Sequence, residues 1–450
     1  MTDTVSTLDG AEPPAAAFTD LGSRERTRLV AVYSLTNRLP GRYAEAHSLS
    51  ELLVFGRFGR HLASSETILP RVFHTDAVDD PRLVVGDDAL AAVSRLRGLV
   101  VVTPRADAAV VLDLEIDPAA SGDAVATLLA QTCFQRDELT VAGTPVLRWL
   151  ADQLLPDAEQ LTFGLDVHQI VYPGERLHDE ILRDGVDRGL SNLVYRGTVA
   201  GTGLLHKPAA LNHGTSAFAA HGRGVSVLGG WAEPVENIIA VVATMIVSTL
   251  GVVQRTKQSA FRALAHNDRA MLSSPGDAGK LIGKLADRLM TMQLDLSFGV
   301  EAFLDSVLVP ELIVESFQTS LRDALRTADS LDYTSRMVDR LQSVITVRRA
   351  GLEGAVQARV EQRGKILSGV GLIGSILALP PALLLAFFGV NATNVDDTRS
   401  ILDLGRYWGA YAAAFSPFVV LALIGWLMLR GTRGRTPVAT GDDGLDDDLD

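Results

Sequence analysis

The sequence predicts an α/β or α+β domain followed by long helices and two closely spaced membrane-spanning helices at the C-terminal end. Three observations carry this reading. Short runs rich in Val, Leu and aromatic residues are confined to residues 26–235; a helical pattern takes over from Val235; and two uncharged stretches, Ile366 to Val390 and Trp408 to Leu429, extend over 25 and 22 residues. Each stretch meets the roughly 20 residues a helix needs to cross ~30 Å of hydrocarbon. At 450 residues and 47% hydrophobic content, the chain also accommodates a soluble domain of a few hundred residues.

Residues 1–25 are rich in Ala, Pro, Thr and Asp and lack periodicity, which reads as a disordered leader. It has no basic region followed by an apolar core, so it is not a signal peptide. Within 26–235, Leu29 to Leu35, Leu52 to Phe58, Leu99 to Thr103 and Ala108 to Ile116 read as strands. Asp123 to Ala130 and Pro145 to Leu155 read as helices between and after them. Cys133 is the only cysteine, so no intrachain disulfide forms and a cytoplasmic location fits.

Region 236–365 is helical through Asn237 to Ala265, Gly279 to Leu296, Ser297 to Thr327 and Tyr333 onward. The 17 uncharged residues Asn237 to Val253 sit at the lower limit for a membrane span. They continue on a helical pattern into Arg255, Lys257 and Arg262, which favours a buried core helix over a third span. From Tyr333 an amphipathic helix with Met337, Leu341, Val344, Leu352, Val356 and Val360 on its apolar positions leads into the first span. Unbroken, this stalk would be on the order of 85 Å long. Gly351, Gly354 and Gly364 weaken it by up to about 1 kcal/mol each, so it needs neighbours.

Span 366–390 carries Ser368, Gly371, Ser375, Ala378, Ala382, Ala386 and Gly389 at steps of three and four. This face of small side chains reads either as a helix-packing surface or as a pore lining. Pro380-Pro381 removes two backbone donors in mid-span and should kink the helix. A loop at 391–407, the second span 408–429 and a tail 430–450 follow. Arg348, Arg349, Arg359, Arg363 and Lys365 precede the first span and Arg430, Arg433 and Arg435 follow the second, against Arg399 and Arg406 in the loop. The positive-inside rule puts both termini in the cytoplasm of a multi-pass protein in the cell membrane. The net charge of -13 owes much to six aspartates in the last ten residues, a solvated tail. No basic stripe with interleaved aromatics points to nucleic acid.

Pro380, the aromatic Phe388 and Gly389-Val390-Asn391 at the outer end of the first of two spans resemble the CorA-type divalent cation channels. That family has two C-terminal spans, a long stalk helix, and a Gly-Met-Asn signature about three turns after a proline. The resemblance covers about 100 C-terminal residues. It implies a homo-oligomer, a pentamer, in which Gly389, Val390 and Asn391 form an ion-selectivity ring and Ser368, Gly371, Ser375, Ala378, Ala382 and Ala386 line the pore. Mg²⁺ sheds water reluctantly, so a ring of Asn391 amides would grip the hydrated ion; Asn391 is equally suited to cap the helix. Asp396 and Asp397 in the outer loop read as cation-attracting carboxylates or as solvated loop charges. Val390 departs from the family's Met, and Ser368 and Gly371 stand where it tends to have bulky apolar side chains. Those departures leave the ion open between Mg²⁺ and its relatives. They also motivate a second reading, a membrane-tethered sensor or effector that does not transport.

Remaining candidates are weaker. His206, His213 and His221 lie seven to eight residues apart without a completing Cys or carboxylate. Gly197, Gly201, Gly203 and Lys207 only loosely resemble a phosphate loop, with Pro208 where Ser or Thr is needed. No nucleophile and base pair stands out, so the sequence points away from an enzyme and to no cofactor beyond the cation itself.

Overall fold

The computed structural model describes residues 24–64, 69–90, 92–156, 160–197, 209–213, 217–269, 275–301 and 308–391, with isolated helical positions between 405 and 427. The chain forms two units, Met1–Asn267 with Asp287–Gln342, and Asp268–Ala286 with Ser343–Asp450.

The first unit is built on β1 (Thr27–Arg38), β2 (His47–Ser48), β3 (Arg71–His74), β4 (Val78–Asp79), β5 (Leu83–Val85), β6 (Asp88–Ala89), β7 (Val93–Val102), β8 (Asp107–Ile116), β9 (Leu139–Val141), β10 (Thr144–Pro145), β11 (Phe163–Tyr172), β12 (Ala209–His213), β13 (Phe218–His221) and β14 (Val225–Gly229). Ten of these make one sheet in the order β12-β13-β14-β11-β1-β8-β7-β3-β2, with β4 on β7; β10-β9-β5-β6 make a second. The central strand β1 pairs antiparallel with β8 and β11, whereas β11 and β14 run parallel.

Both faces of the large sheet are covered, which explains the apolar runs of its central strands. Leu29, Ala31, Tyr33 and Leu35 of β1 point to one face, packed with residues of the helices Gly122–Phe134, Val146–Leu154, Glu175–Asp184 and Val186–Val194. Val30 and Val32 point to the other, against Ile238, Val242 and Ile246 of the helix Glu233–Arg269 and Phe317 and Leu321 of the helix Leu312–Leu325.

Helix Glu233–Arg269 settles the question raised by Asn237 to Val253. Among the described residues, its segment Glu233–Ala265 is the one helix long and apolar enough to cross a membrane, and 89% of its most apolar window is buried. It is the core helix of an α/β unit.

Three expectations need correction. Leu52 to Phe58 is not a strand: it comprises the end of a short helix, Leu49–Leu52, and a 3-10 turn, Gly56–Phe58. Phe55 and Phe58 are both buried, and a spacing of three fits a turn of helix rather than strand alternation. Ser297 to Thr327 is not one helix. A π-helical turn spans Ser297–Glu301, Pro310 precedes a new helix Leu312–Leu325, and Arg326 at φ 52° breaks the chain before the next. Of the leader, residues 1–23 lie outside the described residues, while Arg24 and Glu25 are already held by the fold, since the Arg24 carbonyl accepts from the Glu175 N–H at 2.8 Å.

The stalk is a single helix, Thr327–Asn391, of 65 residues. At 1.5 Å per residue this is about 97 Å. Val338, Leu341 and Ile345 near its start are buried. In the second unit, every side chain from Glu353 to Ser368 is exposed, Val356, Val360 and Leu367 among them.

Candidate functional site

The small-residue face expected along the first span lies on this one helix, so steps of three and four do place Ser368, Gly371, Ser375, Ala378, Ala382 and Ala386 in one stripe. All are exposed except Ala378, which is half-buried. The Ser368 hydroxyl donates to the Lys365 carbonyl and Ser375 to Gly371, both at 3.0 Å. Bonding back to the preceding turn satisfies a hydroxyl without a neighbour. A side chain at Gly371 would meet open space. The helix is continuous through Pro380-Pro381, whose missing N–H groups leave the Ile376 and Leu377 carbonyls without an i+4 donor.

Gly389, Val390 and Asn391 are the last three residues of the helix. Asp396 and Asp397 lie outside the described residues. The second stretch is described only at Gly405, Trp408, Gly409, Ala412, Ser416, Val419, Val420, Leu423, Ile424 and Leu427, all helical and exposed.

Of the three histidines, the two described ones, His213 and His221, sit at opposite ends of a hairpin. His213 pairs with Phe218 and His221 with Ala209, which separates them by roughly 10 Å along the β12–β13 hairpin. His206, Gly201, Gly203 and Lys207 lie outside the described residues, and Gly197 is a turn residue at φ 73°. No group of three metal-ligating side chains occurs among the described residues. His221 instead belongs to a buried row across the sheet: it pairs with Ser226, whose hydroxyl lies 2.8 Å from His168 Nε2, and its ring meets Phe317 edge-on at 6.0 Å. Burial, helped by His221 and Arg196, pushes His168 down to about 3; burial also pushes His221 down to about 4, opposed by Asp323. Both rings are neutral at pH 7.

Two buried ionic clusters escaped the sequence reading. In the first, Arg28 Nε and Nη2 donate to the two Asp113 oxygens at 2.7 and 2.9 Å, and Arg97 Nη2 adds a third bond at 2.7 Å. Arg28 Nη1 donates to Asn237 Oδ1 at 2.9 Å, which ties β1 and β8 to the first turns of the core helix. Burial alone would raise the Asp113 carboxyl, but Arg28 and Arg97 outweigh it and hold it below the usual carboxylate range. An apolar cavity of about 40 Å³ lies beside this cluster, lined by Val72, Leu99, Val111 and Ala240. In the second cluster, Asp295 takes Arg105 at 2.8 Å and Arg38 at 3.3 Å, while Arg255 pairs with Asp107. Burial raises Asp107 despite Arg255 and Arg38. A charged residue inside an apolar strand, such as Arg28 in Thr27–Tyr33 or Asp113 in Val110–Leu114, is the signal that marks such sites.

Compared with family models, with curated proteins and with solved structures, the chain gives no match.

Proposed function

We propose that the chain is a homo-oligomeric CorA-like channel or transporter that moves Mg²⁺ or a related divalent cation across the cytoplasmic membrane, with 366–390 and 408–429 as its spans. The observation that supports this most directly is the single helix Thr327–Asn391, which carries the small-residue stripe and ends on Gly389-Val390-Asn391. In this reading one helix per subunit contributes Ala386, Ala382, Ala378, Ser375, Gly371 and Ser368 to the pathway. Side chains this small leave room for an ion with its water shell, and the Asn391 amide oxygens accept hydrogen bonds from those waters. Asp396 and Asp397 concentrate cations at the outer mouth.

The test is divalent uptake into liposomes, with Mg²⁺, Zn²⁺, Co²⁺ and Ni²⁺ compared for the wild type and for Asn391→Ala. The proposal expects uptake by the wild type and its loss in the variant; equal uptake by both would remove Asn391 from selectivity. Ser368 and Gly371, where the family tends to be bulky and apolar, favour a second reading: a membrane-tethered sensor or effector. Absence of uptake for every cation, together with a cellular effect of the soluble part alone, would support it.

A further inference from the structure

The outer edge of the large sheet carries two histidines on one face. His47 of β2 stands opposite Val72 of β3, and His74 lies two positions further along β3, so both side chains leave the sheet on the side of Val72. Diagonal neighbours of this kind are within reach of rings. The two imidazoles meet with centroids 5.6 Å apart and planes at 52°. Arg71, one position before Val72, faces the other way and lies over the Tyr43 ring at 5.0 Å, away from the pair.

The partners of the two rings fix where their protons sit. His47 Nδ1 is 3.1 Å from a Glu51 carboxylate oxygen, and His74 Nδ1 is 3.4 Å from the Thr75 carbonyl. Carboxylate and carbonyl oxygens only accept, so each bond needs the proton on Nδ1, and the neutral ring then carries its lone pair on Nε2. Thr75 is itself anchored: its N–H donates to the Gly98 carbonyl at 2.9 Å, and its hydroxyl accepts from the Gly98 N–H at 3.1 Å. Among the described residues no group engages either Nε2. The His47 side chain is 57% exposed and His74 is half-buried, so an ion in solution can reach both.

We propose that His47 and His74 form a two-imidazole binding site for Zn²⁺ and its late first-row neighbours Ni²⁺ and Cu²⁺. Two imidazoles that share one such ion at about 2.1 Å place their ring centroids roughly 5–6 Å apart, the separation found here. Glu51 and the Thr75 carbonyl hold the Nδ1 protons and orient the rings from behind, as outer-shell partners of metal-bound histidines do. Only two protein ligands converge, so water completes the coordination. Mg²⁺ prefers oxygen ligands and is excluded by the same chemistry. The site lies within the first unit and does not rest on the transport reading.

The test is Zn²⁺ binding to the metal-stripped full chain, read by competition with a chromophoric chelator under excess Mg²⁺. His47→Ala and His74→Ala should each lose the same single equivalent of Zn²⁺, and the double variant no more than that. Glu51→Gln should keep the equivalent and weaken it about tenfold, the lower end for an outer-shell partner. Cu²⁺ added below one equivalent reports the ligands directly, because pulsed electron paramagnetic resonance counts the imidazoles on the ion: two in the wild type and in Glu51→Gln, one in His74→Ala. Wild-type stoichiometry in either histidine variant, or a single imidazole on Cu²⁺ in the wild type, would overturn the proposal. Unchanged affinity in Glu51→Gln would overturn the role given to Glu51. The wild-type Cu²⁺ spectrum decides the matter even where a histidine variant fails to fold.

Discussion

Arg28 and Asp113, diagonal neighbours on adjacent strands, form a two-bond pair at 2.7 and 2.9 Å, with side-chain exposures of 8% and 11%. An ion pair this deep is held by its geometry, because desolvation of both charges must be offset by directed bonds. Asp113→Ala leaves Arg28 and Arg97 without their shared carboxylate. The expected loss is about 3–5 kcal/mol in urea unfolding, the range for breaking a buried pair. A loss below about 1 kcal/mol would mean that water already reaches the pair.

His168 and His221 make the fold acid-sensitive. Their folded values lie near 3 and 4, below the ordinary 6.5, so the unfolded chain takes up protons first as pH falls. Stability is therefore intact above about pH 6.5 and is lost progressively toward pH 4. His221→Leu should flatten the decline between pH 6.5 and 5, on the order of 2 kcal/mol for a shift of this size. Denaturant midpoints at the two pH values measure it.

Gly174→Ala places a methyl group against the backbone of Glu25, Arg26 and Thr27, all within 2.8 Å of the added carbon. Backbone cannot rotate away as a side chain can, so we expect about 1–3 kcal/mol of destabilisation. Exchange should also accelerate at the Glu175 amide. A neutral effect in thermal unfolding would show that residues 25–27 shift freely.

Ala382→Leu tests the stripe on the distal stalk helix, where Ala382 is exposed. A leucine in a pathway lined by small residues should reduce cation uptake to background while leaving unfolding of the first unit unchanged. Undiminished uptake would place Ala382 away from the pathway.

The strands read most clearly from sequence are β1, β7 and β8, because burial on both faces gives them long runs of Val and Leu. Strands β13 and β14, with Ala219, Ala220, His221, Ser226 and Gly229 among their nine residues, carry little such signal and acquire their strand character from neighbours. The core helix was legible as buried because its pattern continues into Arg255 and Lys257. The stripe from Ser368 to Ala386 could be read directly, since spacing alone defines a helix face. The Arg28 and Asp113 pair could not, with partners 85 positions apart that meet only diagonally, once the register sets Arg28 opposite Glu115.

The core helix also poses a problem for biosynthesis. Its segment Glu233–Ala265 is apolar enough to pass for a membrane span, and only packing against the sheet hides it. During synthesis it emerges before the stretches at 366–390 and 408–429. If the chain has the two-span topology proposed above, late folding of the sheet would offer the insertion machinery the wrong helix first, and an odd number of inserted segments would leave the C-terminal tail on the opposite side of the bilayer. Prompt closure of β1, β8 and β11 over Ile238, Val242 and Ile246 is thus a source of stability and, in the membrane topology proposed above, would also safeguard orientation.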